Sequence, residues 1–288
     1  MGGAALIQRA VIWLLVALLF TACGETTNHA QATIRNTHRN QVHRWIERNF
    51  TRHRKGVALV AQRLAPGFAV EPEDARRSQM RVALRLMSQP PKGVSELIAS
   101  PKSFIAAIDA NGIVIARDTS AEHDQMQGQN LKLFEPVEKA LKGTAAEGLV
   151  TFSSLDKGEA SVSLIFAYPV RMESQPNASP VGAIVVGIPL WRLAQQLSQQ
   201  LRLTYAKQTT VVLWVYLVHQ GRLHHFGTPP EVDQALPEAT HIVSALASKP
   251  KGYTGQFNVV GRPYAYGVYP EPMLSADTAV LIVRSNPL

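Results

Sequence analysis

FIAAIDANGIVIARD, residues 104–118, is the stretch whose reading decides the rest. Two apolar, β-prone runs flank Ala110-Asn111-Gly112. Asn-Gly between such runs is a strong hairpin signal, because glycine reaches positive φ without a steric cost. The pattern downstream extends this hairpin into a unit. A helix is expected from Leu131 to Lys142, with Gly143 as its cap. Three strands then follow, GLVTFSS, ASVSLIFAYPV and VGAIVVGIP, the last two separated by the polar loop MESQPNASP. Leu190 to Leu203 reads as a helix.

The same order returns. TTVVLWVYLV, a turn through Gln220-Gly221 and RLHHFG form a second hairpin. PEVDQALPEATHIVSALASKP supplies a helical crossover, and GYTGQFNV, RPYAYGVYP and TAVLIVRS supply three strands. Gly112 matches Gly221, and Lys142-Gly143 matches Lys251-Gly252, each pair separated by the same step along the chain. Tyr168 and Ile184 match Tyr266 and Ile282 by a second constant step. Constant steps of this kind mark a duplicated unit.

Upstream, Ile34, Val42, Trp45, Ile46, Phe50, Val57, Val60 and Leu64 recur at helical spacing. They predict one helix from Thr33 to Leu64, about 48 Å long at 1.5 Å per residue. Pro66-Gly67 stops it, and a second helix begins among the acids Glu71, Glu73 and Asp74 and ends at Pro90-Pro91. A short helix, Val94 to Ala99, precedes Pro101. The fold class expected is α+β, a long N-terminal helix followed by two tandem antiparallel-sheet units.

Hairpin, crossover and three-strand meander is the order of a PAS-like sheet. The run FIAAIDANGIVIARD, with GQNL, ALKG, VSLIFAYPV and VGAIVVGIPL after it, resembles the extracellular Cache sensor family. The long helix before two such units resembles its double-Cache arrangement, over residues 33–287. The resemblance implies a ligand-sensing module with a small-molecule ligand. Cache proteins usually continue into a second membrane helix and a cytoplasmic output region, and here the sequence stops at Leu288. The expected output is therefore a separate membrane signalling protein. The arginine-x-tryptophan-tyrosine cluster of the amino-acid-binding subgroup is absent, so an amino-acid ligand is not implied.

The N-terminus sets the compartment. Arg9 precedes an apolar run from Ala10 to Phe20, too short for a span of about 20 residues but right for a secretory signal. F-T-A-C, residues 20–23, resembles the bacterial lipobox, which makes Cys23 the expected lipid attachment site. Cleavage after Ala30-Gln31-Ala32 and an uncleaved anchor remain alternatives. Cys23 is the single cysteine of 288 residues, so no intramolecular disulfide or multi-cysteine metal site exists. The organisation expected is a signal peptide over 1–22, a lipid-anchored helical region over 23–102, and units over 103–203 and 204–288. The location expected is the cell envelope, anchored to the outer membrane and facing the periplasm or exterior.

The net charge of +8 is local. Arg35, Arg39, Arg44, Arg48, Arg52, Arg54 and Lys55 stand against Glu47, while residues 56–288 carry 21 basic and 19 acidic side chains. Nucleic acid is not an expected partner of such a chain. Arg44, Arg48 and Arg52 fall on one helix face, which suits either anionic lipid or plain solvation.

A PAS-like pocket lies between the sheet's inner face and the crossover. In ASVSLIFAYPV, the face carrying Val162, Leu164, Phe166 and Tyr168 is the expected pocket side. Arg117 and Asp118 at one strand end, and Arg171 at another, are ligand-binding candidates, and an arginine at a pocket mouth would suit a carboxylate. In the second unit Tyr266 is the candidate, although Tyr264 and Tyr266 alternate onto one face as sheet packing would require. The small residues of GAIVVGIP suggest room for a cavity. His224 and His225 are adjacent and point to opposite faces, His38 and His43 miss the i, i+4 spacing of a metal pair, and His123 between Glu122 and Asp124 reads as a polar loop. No cofactor and no metal are expected. With no catalytic motif of the common hydrolase, nucleotide-binding or zinc-protease kinds, the expectation is that the protein is not an enzyme. The alternative function is an envelope scaffold that keeps the fold without a pocket.

Overall fold

The computed structural model describes residues 28–98, 102–119, 125–152, 161–172, 178–206 and 211–285. Cys23 and the apolar leader lie outside the described residues, as does His123.

Residues 28–33 are helical and pass through a π turn, Ile34–His38, into helix α1, Arg39–Leu64. The chain divides into two units, one holding residues up to His43 with the second sheet, the other beginning at Arg44 and holding the first sheet. Gly56 lies inside α1, where glycine costs about 1 kcal/mol against alanine. Its reason is close approach, since a Cβ there would sit 2.7 Å from Leu97. A 3-10 turn, Ala65–Ala69, leads to α2, Glu73–Ser88, and the short α3, Ser95–Ile98.

The first sheet is built from β1 (Phe104–Asp109), β2 (Val114–Arg117), β3 (Ala146–Phe152), β4 (Ser161–Val170) and β5 (Gly182–Pro189). Its spatial order is β2-β1-β5-β4-β3 with every pair antiparallel. Gly112 turns the β1–β2 hairpin at φ +87°, and Asp109 Oδ1 accepts from the Asn111 and Ile113 amides. The crossover helix α4 is shorter than the sequence suggests, Glu135–Leu141 rather than from Leu131. The reason is that Asn130 bridges Ile113 and the Leu131 amide donates to the Gly112 carbonyl, which holds that segment on the hairpin.

Helix α5, Leu190–Thr204, follows β5. The second sheet contains β6 (Leu213–His219), β7 (Arg222–His224), β8 (Tyr253–Val259), β9 (Arg262–Pro270) and β10 (Thr278–Ser285), in the order β7-β6-β10-β9-β8. Its crossover is two helices, α6 (Pro230–Ala235) and α7 (Ala239–Ser248), separated at Leu236-Pro237. The fold is α+β with a long N-terminal helix and two five-stranded antiparallel sheets of identical strand order. The matched glycine caps keep their geometry, Gly143 at φ +97° and Gly252 at φ +91°.

One match slips. Ile184 pairs with Tyr168, whereas Ile282 pairs with Gly267, so the structural equivalent of Tyr168 is Gly267 and not Tyr266. A one-residue slip turns the side chain to the other face.

Candidate functional site

The first sheet buries both faces. One face carries Phe104, Ala106, Ile108, Ile165, Ala167, Ala183 and Val185, packed with Val137 and Ala140 of α4. The inner face toward the crossover is therefore the one with Ile165 and Ala167. This corrects the expectation for Phe166: it lies on the opposite face, 5.2 Å from the Phe50 ring and stacked on His53 at 5.1 Å, against α1. Tyr168 shares that face and is half-buried. The room expected from the glycines of β5 is also taken. A Cβ on Gly187 would meet the Phe104 ring at 2.2 Å, and one on Gly182 would meet Phe68 at 2.5 Å. Phe104, Phe152 and Phe134 continue as edge-to-face contacts at 5.8 and 5.0 Å, a favoured aromatic geometry.

Arg171 is engaged within the protein. Its Nε donates to the Ala178 carbonyl at 2.9 Å and its Nη2 to the Gly143 carbonyl at 2.6 Å, so it ties the loop before β5 to the end of α4. Asp118 closes the strand ends: Oδ1 accepts from the Ile105 amide at 2.8 Å, and Oδ2 lies 4.0 Å from Lys102 Nζ. Burial pushes the Asp118 carboxyl up from its ordinary range, opposed by that amide and by Lys102 and Arg117. Burial likewise lowers Lys102, with Asp118 acting in the other direction. Arg117 Nη1 sits 3.4 Å from the Met126 sulfur. Arg117 and Asp118 thus stay together at one strand end, and Arg171 is engaged elsewhere.

In the second sheet, Tyr266 belongs to the crossover-side core with Trp214, Tyr216, Tyr264 and Phe257. Phe257 stacks on Tyr264 at 5.2 Å, and Tyr266 stands 6.2 Å from Tyr253. Burial raises the hydroxyls of Tyr266 and Tyr253, the latter up to about 12. Deeper in the same core, Tyr216 donates to Asp233 Oδ1 at 2.7 Å, and His225 Nε2 lies 3.4 Å from Asp233 Oδ2. Burial and the Asp233 carboxylate raise the Tyr216 hydroxyl. His225 packs 4.6 Å from Tyr216, while His224 pairs with Leu217 on the neighbouring register position. Among the described residues no three His, Cys, Asp or Glu side chains converge as a metal site would require.

The helix-facing side of the second sheet holds what sequence reasoning missed. Tyr269, two residues before the end-of-strand acid Glu271, turns away from Tyr264 and Tyr266 and is 4% exposed. Arg39 places its guanidinium carbon 4.8 Å from the centre of the Tyr269 ring, a cation–π distance. Glu271 is equally buried, and His43 Nδ1 lies 3.0 and 3.2 Å from its two oxygens. Together with Val42, Val280 and Ile282 these residues line a cavity of about 290 Å³. That is close to the lower end of small-molecule pockets, roughly 300–1,000 Å³. The Tyr269 hydroxyl is buried and has no hydrogen-bond partner among the described residues. Burial raises its pKa, and Arg35 and Arg39 pull it back. Arg39 stands one residue after the π turn, its amide donating to the Ile34 carbonyl. The signal available in the sequence was weak: an arginine and histidine four apart on a helix, and a Tyr-Pro-Glu strand end far along the chain.

Beside it, His38 is fully buried, and its Nε2 lies 2.8 Å from Arg284 Nη1. Arginine only donates, so Nε2 accepts and the imidazole is neutral. Burial, then the Arg284 charge, lowers the His38 pKa to about 4. Tyr205 closes the group, 4.9 Å from the His38 ring and 5.5 Å from the Arg284 guanidinium.

No family model matches the chain, and no curated protein matches it in sequence. Its fold is similar to solved sensor domains. The ligand-binding domain of the Campylobacter jejuni chemoreceptor Tlp3, solved with 4-methylisoleucine, matches with a TM-score of 0.54 at 11% identity, covering 91% of each chain. The sensor domain of the Vibrio cholerae histidine kinase DctB matches at 0.51 and 14% identity, covering 91% of this chain and 97% of that one. A domain of a sensory box/GGDEF family protein from Vibrio parahaemolyticus matches at 0.50 and 14%, with the same coverage. At these identities the likeness establishes the fold alone.

Proposed function

We propose that the protein is a ligand-binding sensor module of the bacterial envelope, held to the membrane through lipid on Cys23 and reporting to a separate membrane signalling protein. The observation that carries the reading is the fold: a long helix and two sheets of the same strand order, shared over nine-tenths of its length with chemoreceptor and kinase sensor domains. Among the described residues no helix is long and apolar enough to cross a membrane; the proposed anchor rests on the lipobox-like F-T-A-C of residues 20–23.

Two measurements on the full chain in detergent test this. Palmitate labelling in a lipoprotein-processing host should mark the wild type, and Cys23→Ser should lose both the label and membrane retention. A melting screen against organic acids, amino acids, purines and polyamines should give at least one hit. A ligand at 100 times its Kd adds about 2.7 kcal/mol of stability. Label retained in Cys23→Ser would remove the anchor, and silence across the library would remove the sensor.

Two observations favour a second reading, an envelope scaffold that binds protein instead. The Phe104 ring occupies the space over Gly187 where a first-sheet ligand would lie, and Val82 and Leu86 expose apolar side chains one turn apart on α2.

A further inference from the structure

We propose that the cavity on the helix-facing side of the second sheet is the ligand site, and that it takes a short-chain aliphatic monocarboxylate gripped by Arg39 and Tyr269. The inference rests on the ligand-binding reading above and adds to it a place and a chemical class.

The class follows from which polar groups already have partners. Glu271 is buried but is satisfied by His43 at 3.0 Å. Arg39 has no carboxylate partner among the described residues and lies over the face of Tyr269 at 4.8 Å. The Tyr269 hydroxyl, 4% exposed as a residue, has no partner either. A guanidinium fork and a phenol hydroxyl are donors, and together they match one carboxylate: two parallel N–H···O bonds from the fork and one O–H···O bond from the phenol. A buried donor left unmade is costly, so a ligand that accepts from the Tyr269 hydroxyl is favoured, with the half-buried Arg39 fork supplying the charge.

The other walls narrow the choice. Val42, Val280 and Ile282 are buried and apolar, so the body of the ligand should be aliphatic. Glu271 sets a negative charge in the same cavity, and a second carboxylate or a phosphate dianion would meet it at close range in a poorly solvated space. Monocarboxylates are selected and dianions rejected. Size agrees, since about 290 Å³ admits a molecule of a few carbons rather than a nucleotide.

The test uses the full chain in detergent with butyrate, succinate, inorganic phosphate and butylamine as probes, read by calorimetry and melting. Butyrate should bind saturably, with a Kd of about 1 mM or tighter. Arg39→Gln should weaken it by at least about tenfold and Tyr269→Phe by about fivefold, the usual scale for losing charged and neutral hydrogen bonds. Arg39→Lys, which keeps the charge but not the fork, should lie between wild type and Arg39→Gln and controls for folding. Arg171→Gln, in the other unit, should leave binding unchanged. Succinate, phosphate or butylamine binding more tightly than butyrate would overturn the ligand class. A ligand from the wider screen that binds Arg39→Gln as it binds wild type would overturn this site while leaving the sensor reading intact. Silence of every probe and of the wider library would sink both.

Discussion

Lowering the pH from 7.5 to 4.5 should weaken the second-sheet unit through His38. The ring is fully buried and must stay neutral to accept from Arg284. Its pKa is lowered to about 4 in the folded protein, by burial first and by Arg284 second, with Gln41 acting the other way. Arg284 on β10, Tyr205 after α5 and Gln41 on α1 are the polar groups that face it. Unfolded, the ring titrates near 6.5. Between these values the unfolded chain binds a proton that the folded one does not, so stability falls as pH falls, beginning near 6.5 and complete near 4. At pH 4.5 the loss is about 2 to 3 kcal/mol, from one proton taken up across most of that interval. Carboxylates held below their ordinary range, Glu96 and Glu138, lose their contribution only at lower pH, beneath this window. His224, also lowered to about 4 chiefly by burial, adds a slope of the same sign, so the variant matters more than the raw profile. Urea midpoints, followed by circular dichroism and tryptophan fluorescence at half-unit pH steps, should show His38→Gln flatter than wild type by that amount. A glutamine can accept from Arg284 without titrating. Equal slopes for the two proteins would refute the reasoning; the raw wild-type profile also carries the opposite slope of Asp118, whose carboxyl is pushed up by burial, so the difference between the two proteins decides.

Three further outcomes are expected. Gly187→Ala should destabilise the first-sheet unit by about 1–3 kcal/mol, because its Cβ would overlap a Phe104 ring that is itself packed on Phe152, and overpacking in a dense core costs that much. In a Phe104→Leu background the same substitution should cost measurably less in a urea double-mutant cycle; additivity would show that the ring does not hold that space. Arg171→Ala should cost about 2 kcal/mol in the melting of the first-sheet unit, as two charge-assisted bonds to carbonyls are lost, and should leave ligand affinity unchanged in calorimetry. Tyr216→Phe should destabilise by about 1 kcal/mol, read from its urea midpoint, since it leaves Asp233 Oδ1 without its donor; a neutral result would mean that water replaces the phenol there.

What the amino-acid order determined by itself was the succession of elements and their duplication. Those signals are local. Asn111-Gly112 and Gln220-Gly221 turn because particular residues tolerate positive φ, and both glycines do take it, at +87° and +70°. Lys142-Gly143 and Lys251-Gly252 end crossovers for the same reason, and spacing along α1 reports its buried stripe without help from distant residues. The faces of the strands were not legible. Alternation tells inside from outside only when one side meets water, and β4 is buried along both sides, with the crossover on one and α1 on the other. Alternation alone puts Phe166 and Tyr168 on the inner face for that reason, whereas Phe166 packs on Phe50 and His53 of α1 and the side with Ile165 and Ala167 meets the crossover. The glycines of β5 read as empty space, whereas Phe104 and Phe68 arrive from elsewhere in the chain to fill it. The candidate site was the least legible of all. Arg39 and His43 meet Tyr269 and Glu271 only because β9 runs back beside the start of the helix, joining residues 228 positions apart in the case of His43 and Glu271. No local propensity encodes such a meeting. It is decided by tertiary packing, which brings a buried phenol and a guanidinium to one cavity wall.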